Sequence, residues 1–95
     1  MAKLESKIQS EILKHLRTYK KSFTYKHEPS PTGIPDIHFI HKGKSIWFEV
    51  KRSSKHKPSK IQKKQHKRLR KAGCKVFVVW SKHQVVDVLT NLYEH

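Results

Sequence analysis

The apolar positions of this chain switch between helical and strand periods, and the switches divide it into elements. Leu4, Ile8, Ile12, Leu16 and Tyr19 recur at i, i+4, i+8, i+12 and i+15. That spacing is one face of a helix, predicted from about Lys3 to Lys20. Phe23-Thr-Tyr-Lys-His27 then alternates with period two, as a strand does. Glu28-Pro-Ser-Pro-Thr-Gly33 is a breaker-rich loop. Asp36–His41 and Ser45–Lys51 read as two strands joined through Lys42-Gly43-Lys44, a hairpin signal. After the basic stretch Arg52–Lys57, Ser59 followed three residues later by Gln62 is a capping-box pattern opening a second helix. Gly73 suits its C′ position. Ile61, Gln65, Leu69 and Ala72 lie on a narrow face of that helix, apart from its lysines. Lys75–Trp80 is a near-continuous run of β-formers, the pattern of a strand covered on both faces. Ser81 and Gln84 repeat the capping box and open a last helix with Val85, Val86, Leu89 and Leu92 inward. The order αβββαβα predicts an α/β domain, with helices flanking a central mixed sheet.

Length narrows this to one domain over residues 1–95, with no repeat and no linker. A domain this small buries roughly 60–65% of its unfolded surface, so its stability is marginal and dimerisation would help. Charge changes the picture more. Lys and Arg number 22 against seven Asp and Glu, a net +15 with His neutral. Such an imbalance opposes compaction by self-repulsion and attracts polyanions, nucleic acid first among them. An anionic membrane finds no support, because no apolar run approaches the length of a span and no lipidation motif is present. The N-terminus lacks the continuous apolar stretch of a signal peptide. The one cysteine, Cys74, excludes an internal disulfide and fits a reducing, cytoplasmic compartment. It enters an apolar strand and reads as a small buried filler.

The charge is unevenly spread. No acidic residue occurs between Val50 and Val86, while Lys51 to Lys71 holds 11 of the 22 basic side chains. Lys60, Lys63, Lys64, Lys67 and Lys71 share one face of the second helix. Ordinary solvated faces mix signs and form i,i+4 pairs, and this one has no acids to pair with. We read Arg52, Lys55, Lys57, Lys60, Lys63, Lys64, Lys67 and Arg68 as a phosphate-binding surface. Contacts of that kind position a protein without reading sequence. With one cysteine there is no Cys/His zinc pattern, and His38 and His41 fall on opposite faces of their strand. His15, His27, His56, His66 and His83 read as surface or groove residues, and His95 as an uninformative terminus.

Against this background, two carboxylates in the most strand-like segment stand out. Trp47, Glu49 and Lys51 point to one face of their strand, and Ile46, Phe48 and Val50 to the other. If the two strands pair through the short hairpin, Asp36 lies near Glu49 and Lys51. Hard carboxylate oxygens bind Mg²⁺, which keeps waters and takes phosphate oxygens as well. A lysine beside them can stabilise charge developing on a phosphoryl group. Alternatively Asp36 caps its loop, and Glu49 and Lys51 form a solvent-side pair. Trp47 on the same face argues for cover there, where an idle carboxylate is costly.

Pro35-Asp36 followed by Glu49-Val50-Lys51 resembles the PD-(D/E)xK nuclease signature. More narrowly, Gly33-Ile-Pro-Asp36, Phe48-Glu-Val-Lys51, Ser59-Lys-Ile-Gln62 and Ala72-Gly-Cys-Lys-Val-Phe-Val-Val79 together resemble the virus-type replication–repair nuclease (VRR-nuc) domain over nearly the whole chain. The resemblance implies a restriction-endonuclease-like fold and Mg²⁺- or Mn²⁺-dependent DNA cleavage. It implies Asp36 and Glu49 as metal ligands, Lys51 as the catalytic lysine and Gln62 as an active-site polar residue, although capping alone explains Gln62 equally well. It also implies an acid on the first helix. Of the two candidates, Glu5 falls roughly 40° from the centre of the apolar stripe and Glu11 about 80° away on the other side, which favours Glu5. Gln9, one turn after Glu5, is placed to support the site. The family includes domains appended to larger proteins and stand-alone forms in phages and bacteria, and this chain resembles the latter. Such forms resemble Holliday-junction resolvases, which implies a homodimer acting on four-way junctions in DNA repair. The competing reading is a non-catalytic nucleic-acid-binding module on the same basic surface. A site-specific restriction nuclease fits less well, since 95 residues leave little room for recognition elements.

Overall fold

The fold is described from a computed structural model covering residues 2–29 and 31–94, with side chains from Leu4 onward. Ser30 of the breaker-rich loop and His95 lie outside the described residues. The elements are α1 (Ala2–Leu16), β1 (Ser22–Lys26), β2 (Ile37–His41), β3 (Lys44–Val50), α2 (Lys60–Lys71), β4 (Lys75–Val79) and α3 (Lys82–Tyr93). The order is the expected αβββαβα. The four strands form one mixed sheet in the order β1-β2-β3-β4, the first two pairings antiparallel and the last parallel. The parallel step requires a crossover, which α2 supplies.

The two faces of the sheet are covered differently. Ile37, Phe39, Ile46, Phe48, Val50 and Val79 join Ile8, Ile12, Leu13 and Leu16 of α1 and Val85 and Leu89 of α3 in one hydrophobic cluster. The opposite face carries Trp47 and Glu49, and α2 lies across part of it, with His66 reaching Glu49 and Arg70 donating to the Val76 carbonyl oxygen. Every residue of β3 from Ile46 to Val50 is therefore buried. Among the described residues no helix is long and apolar enough to cross a membrane.

Three expectations shift. First, α1 stops at Leu16, short of Lys20. The chain tightens there into i→i−3 turns: Thr18 N–H donates to the His15 carbonyl, Tyr19 N–H to the Leu16 carbonyl, and the Thr18 hydroxyl also donates to the His15 carbonyl oxygen. Lys21 then turns the chain with φ 57°, while Tyr19 still packs on the core. Second, the buried side of α2 is not its Ile61 face. Ile61 is 45% exposed and His66 only 3%, because the buried carboxylate of Glu49 draws in the polar Gln62 and His66 in preference to an apolar row. His66 is accordingly a buried residue, contrary to its assignment as a surface or groove residue. Third, Cys74 is half-buried, since β4 is an edge strand.

The turn before β2 sets how close α2 can come. Gly33 has φ +77°, and a Cβ there would lie 2.9 Å from the Ile61 carbonyl carbon and oxygen and 3.0 Å from the Gln62 nitrogen. All three are backbone atoms that cannot swing away. Gly43 in the hairpin has the same φ and nothing within 4 Å. Gly33→Ala should therefore destabilise the domain by at least about 2 kcal/mol, backbone strain plus collision. Gly43→Ala should cost only the strain, about 1 kcal/mol. Urea unfolding of the two variants checks this, and equal losses would show that α2 does not rest on Gly33.

Candidate active site

The hairpin register brings the site together. Ile37 pairs with Phe48 across β2 and β3, so Asp36, one residue earlier, falls beside Glu49. The Val50 N–H donates to Asp36 Oδ2 at 2.7 Å. This bond fixes the carboxyl at the end of the sheet, where β2 has begun and β3 is about to leave. Glu49 is 1% exposed. A carboxylate so deep needs partners on both oxygens. Oε1 lies 3.0 Å from Nε2 of His66, and Oε2 lies 3.4 Å from the Gln62 amide nitrogen. Against an ionised carboxylate, which can only accept, the ring presents its Nε2–H.

Gln62 caps α2 and also reaches Glu49 and Lys51. Its Oε1 accepts from the Ser59 N–H at 2.9 Å, and Ser59 Oγ accepts from the Gln62 N–H at 3.2 Å, which completes the capping box. The same Oε1 accepts from Lys51 Nζ at 3.0 Å. One side chain at the start of α2 thus ends the helix backbone, touches Glu49 and holds the Lys51 ammonium.

Glu5 and Glu11 separate clearly. Glu5 lines a cleft of about 340 Å³ together with Asp36, Gln9, Lys26, His27 and Glu28. Glu11 lines a different cleft with Lys14, His15, Thr18 and Lys82. The Asp36 carboxyl is pushed up to about 7 from 3.8 by burial, then by the Glu49 carboxylate beside it. A hydrogen bond to Glu49 that only the protonated form can donate, and the charge of Glu5, push the same way, while the Val50 N–H opposes them. Among the described residues no three His, Cys, Asp or Glu side chains converge as a complete metal cage. Two crowded carboxylates with hard oxygens still fit Mg²⁺ or Mn²⁺. Mg²⁺ is commonly held by one or two carboxylates, with water and phosphate filling the rest.

The basic surface is more varied than its composition implies. Lys55, Lys57, Lys60, Lys63, Lys64, Lys67 and Arg68 are exposed. Arg52 is half-buried and donates through Nε to His56 Nε2 at 2.7 Å, while His56 Nδ1 meets Ser53 Oγ. Arg52 therefore shapes the loop leaving the site and is not free in the way the lysines are. The residue that sequence reasoning missed is His66. Its signal was position: it follows Gln62 by four residues, one turn along the same helix face.

No family model matches the chain, and no curated protein matches it. A solved structure described as a VRR_NUC domain does, with 28% identity and a TM-score of 0.81 over 95% of this chain and 98% of that one. The mixed sheet, its three helices and this likeness define a nuclease-like domain of the restriction-endonuclease type. Within that class the chain has the fold of a VRR-nuc domain.

Two outcomes follow from the buried acids. Because the folded state holds a proton on Asp36 that the unfolded chain has released, stability falls as pH rises from 3.8 through about 7. In EDTA, Asp36→Asn should raise Tm at pH 8 by roughly 5 °C or more, and by much less at pH 5. Equal shifts at both pH values would mean that burial and the Glu49 carboxylate do not push the Asp36 carboxyl up. His66→Phe should cost about 1–3 kcal/mol by leaving one Glu49 oxygen unpartnered. That cost should shrink in a Glu49→Gln background. A double-mutant cycle measured by urea unfolding tests the coupling, and strict additivity would break the assigned contact.

Proposed function

We propose that this domain is a Mg²⁺- or Mn²⁺-dependent DNA endonuclease that hydrolyses phosphodiester bonds in branched DNA such as a four-way junction, acting as a homodimer. The observation that carries the reading is the grouping of Asp36, Glu49, Lys51 and Gln62 at one end of the hairpin. Such a group has no structural economy, since it crowds two carboxylates in a place where one alone is costly. A divalent cation bound there would relieve the crowding. Asp36 and Glu49 would hold it, with Glu5 reaching it across the cleft.

When bound, the cation supplies Lewis-acid chemistry to the scissile phosphate. The chain supplies the rest. Glu49 is held rigid from both sides by His66 and Gln62, so its oxygens do not have to reorganise as charge develops. Gln62 aims the Lys51 ammonium, which can orient an attacking water or donate to a phosphoryl oxygen whose charge is growing. The exposed lysines of α2 hold the flanking phosphates and set position along the strand.

The test is cleavage of a labelled panel of linear duplex, single strand, flap and four-way junction in Mg²⁺, Mn²⁺ or EDTA. Glu49→Gln and Lys51→Ala should each abolish cutting while leaving binding in EDTA largely intact. Paired symmetric nicks confined to the junction would support the dimeric resolvase. Binding without cutting in any metal would leave a non-catalytic nucleic-acid-binding domain on a nuclease-like scaffold.

A further inference from the structure

The sheet face that α2 covers is only half covered. Beyond Trp47, the same face continues over β2 and β1, where Tyr25 pairs with His38 and Phe23 with Ile40. Phe23 is 55% exposed and Tyr25 52%. Exposed aromatic rings at alternate positions of an edge strand are a liability for a small soluble domain. Their arrangement is ordered. The Phe23 and Tyr25 rings lie within 9° of parallel, with centroids 6.5 Å apart. Tyr25 meets His27 edge-on at 4.7 Å, His27 lies against Trp47 at 5.3 Å, and Trp47 stacks on His38 at 3.9 Å. The array runs inward from the edge of the sheet to the candidate site. His27 also lines the cleft of Glu5 and Asp36, and Trp47 stands two residues before Glu49.

We infer that this aromatic face binds the unpaired bases of single-stranded DNA and leads the strand toward the Asp36–Glu49 cleft. The inference rests on the nuclease reading above and adds to it the state of the DNA that the domain engages. Single-strand binders combine aromatic rings that stack bases with positive charge that tracks the backbone. Both are present. Neither β1 nor β2 contains an acidic residue, and exposed Lys21, Lys26, Lys42 and Lys44 stand at the ends of the strands. The same charge opposes the main competitor for this face, a second copy of the chain. Each copy carries +15, and neither β1 nor β2 offers an acid to pair with the partner's lysines.

The experiment is fluorescence anisotropy in EDTA with three labelled probes: an oligo(dT) of about 12 nucleotides, an abasic strand of the same length, and a duplex. Phe23→Ala and Tyr25→Ala should each weaken oligo(dT) binding by about 5- to 100-fold. Affinity for the abasic strand and the duplex should stay unchanged. Tyr25→Trp should keep oligo(dT) binding, which separates loss of a ring from loss of the fold. Equal losses on oligo(dT) and the abasic strand, or no loss on either, would overturn the base-stacking role while leaving the nuclease reading standing. Conversion of a sedimenting dimer to monomer by the ring substitutions, with oligo(dT) affinity unchanged, would reassign the face to self-association. Failure of the wild-type chain to bind oligo(dT) would overturn the single-strand role, while cleavage of the four-way junction decides the nuclease reading separately.

Discussion

The hydrogen bond from the Val50 N–H to Asp36 is the constraint on which the rest of the site depends. It exists because the short hairpin fixes the register, with Ile37 opposite Phe48. A slip of one residue would turn Glu49 and Trp47 toward the hydrophobic cluster and push Ile46, Phe48 and Val50 out of it. Burial of the apolar face thus locks the position of the polar one. The core of α1 and α3 does not touch the chemistry, yet it decides where the carboxylates stand.

Around that fixed pair the chain spends stability. Two acids share a buried corner, and the Asp36 carboxyl is pushed up accordingly. The compensation is local. His66 and Gln62 occupy the Glu49 oxygens, and Gln62 satisfies the first turn of α2 with the same atom that holds Lys51. The capping box is therefore a structural device and a positioning device at once. Gly33 completes it from outside, since only a residue without a Cβ lets the preceding loop rest on the start of α2.

Most of the element order was legible because the periods were clean and the caps at Ser59 and Ser81 were explicit. The pairing of Asp36 with the Glu49 end of β3 followed from counting residues away from the hairpin. Glu5, preferred over Glu11 as the helix acid from helical phase, lines the cleft of Asp36, and Glu11 lines another. What escaped had a common cause. Hydrophobic phase assigns the inward face of a helix by its apolar residues, and α2 is drawn in by a buried carboxylate. Its inner side is therefore Gln62 and His66, with Ile61 outside. The end of α1 escaped for a different reason: Tyr19 keeps its place in the core from a turn, so the apolar stripe outlasts the helix. The aromatic row of β1 looked like an ordinary strand, yet Phe23 and Tyr25 stand more than half exposed on it.

The burial of β3 on both faces has an evolutionary consequence. From Ile46 to Val50 each side chain is enclosed by protein, so nearly any replacement there carries the cost of a core mutation, commonly 1 kcal/mol or more. The exposed lysines of α2 and the rings of β1 stand where replacements usually shift stability by only about 0.5 kcal/mol. The chemistry of the domain is thereby held under purifying constraint by the fold itself, whatever its activity demands. The exposed surfaces carry no such cost from the fold, so relatives can diverge there while the strand that carries Glu49 stays the same.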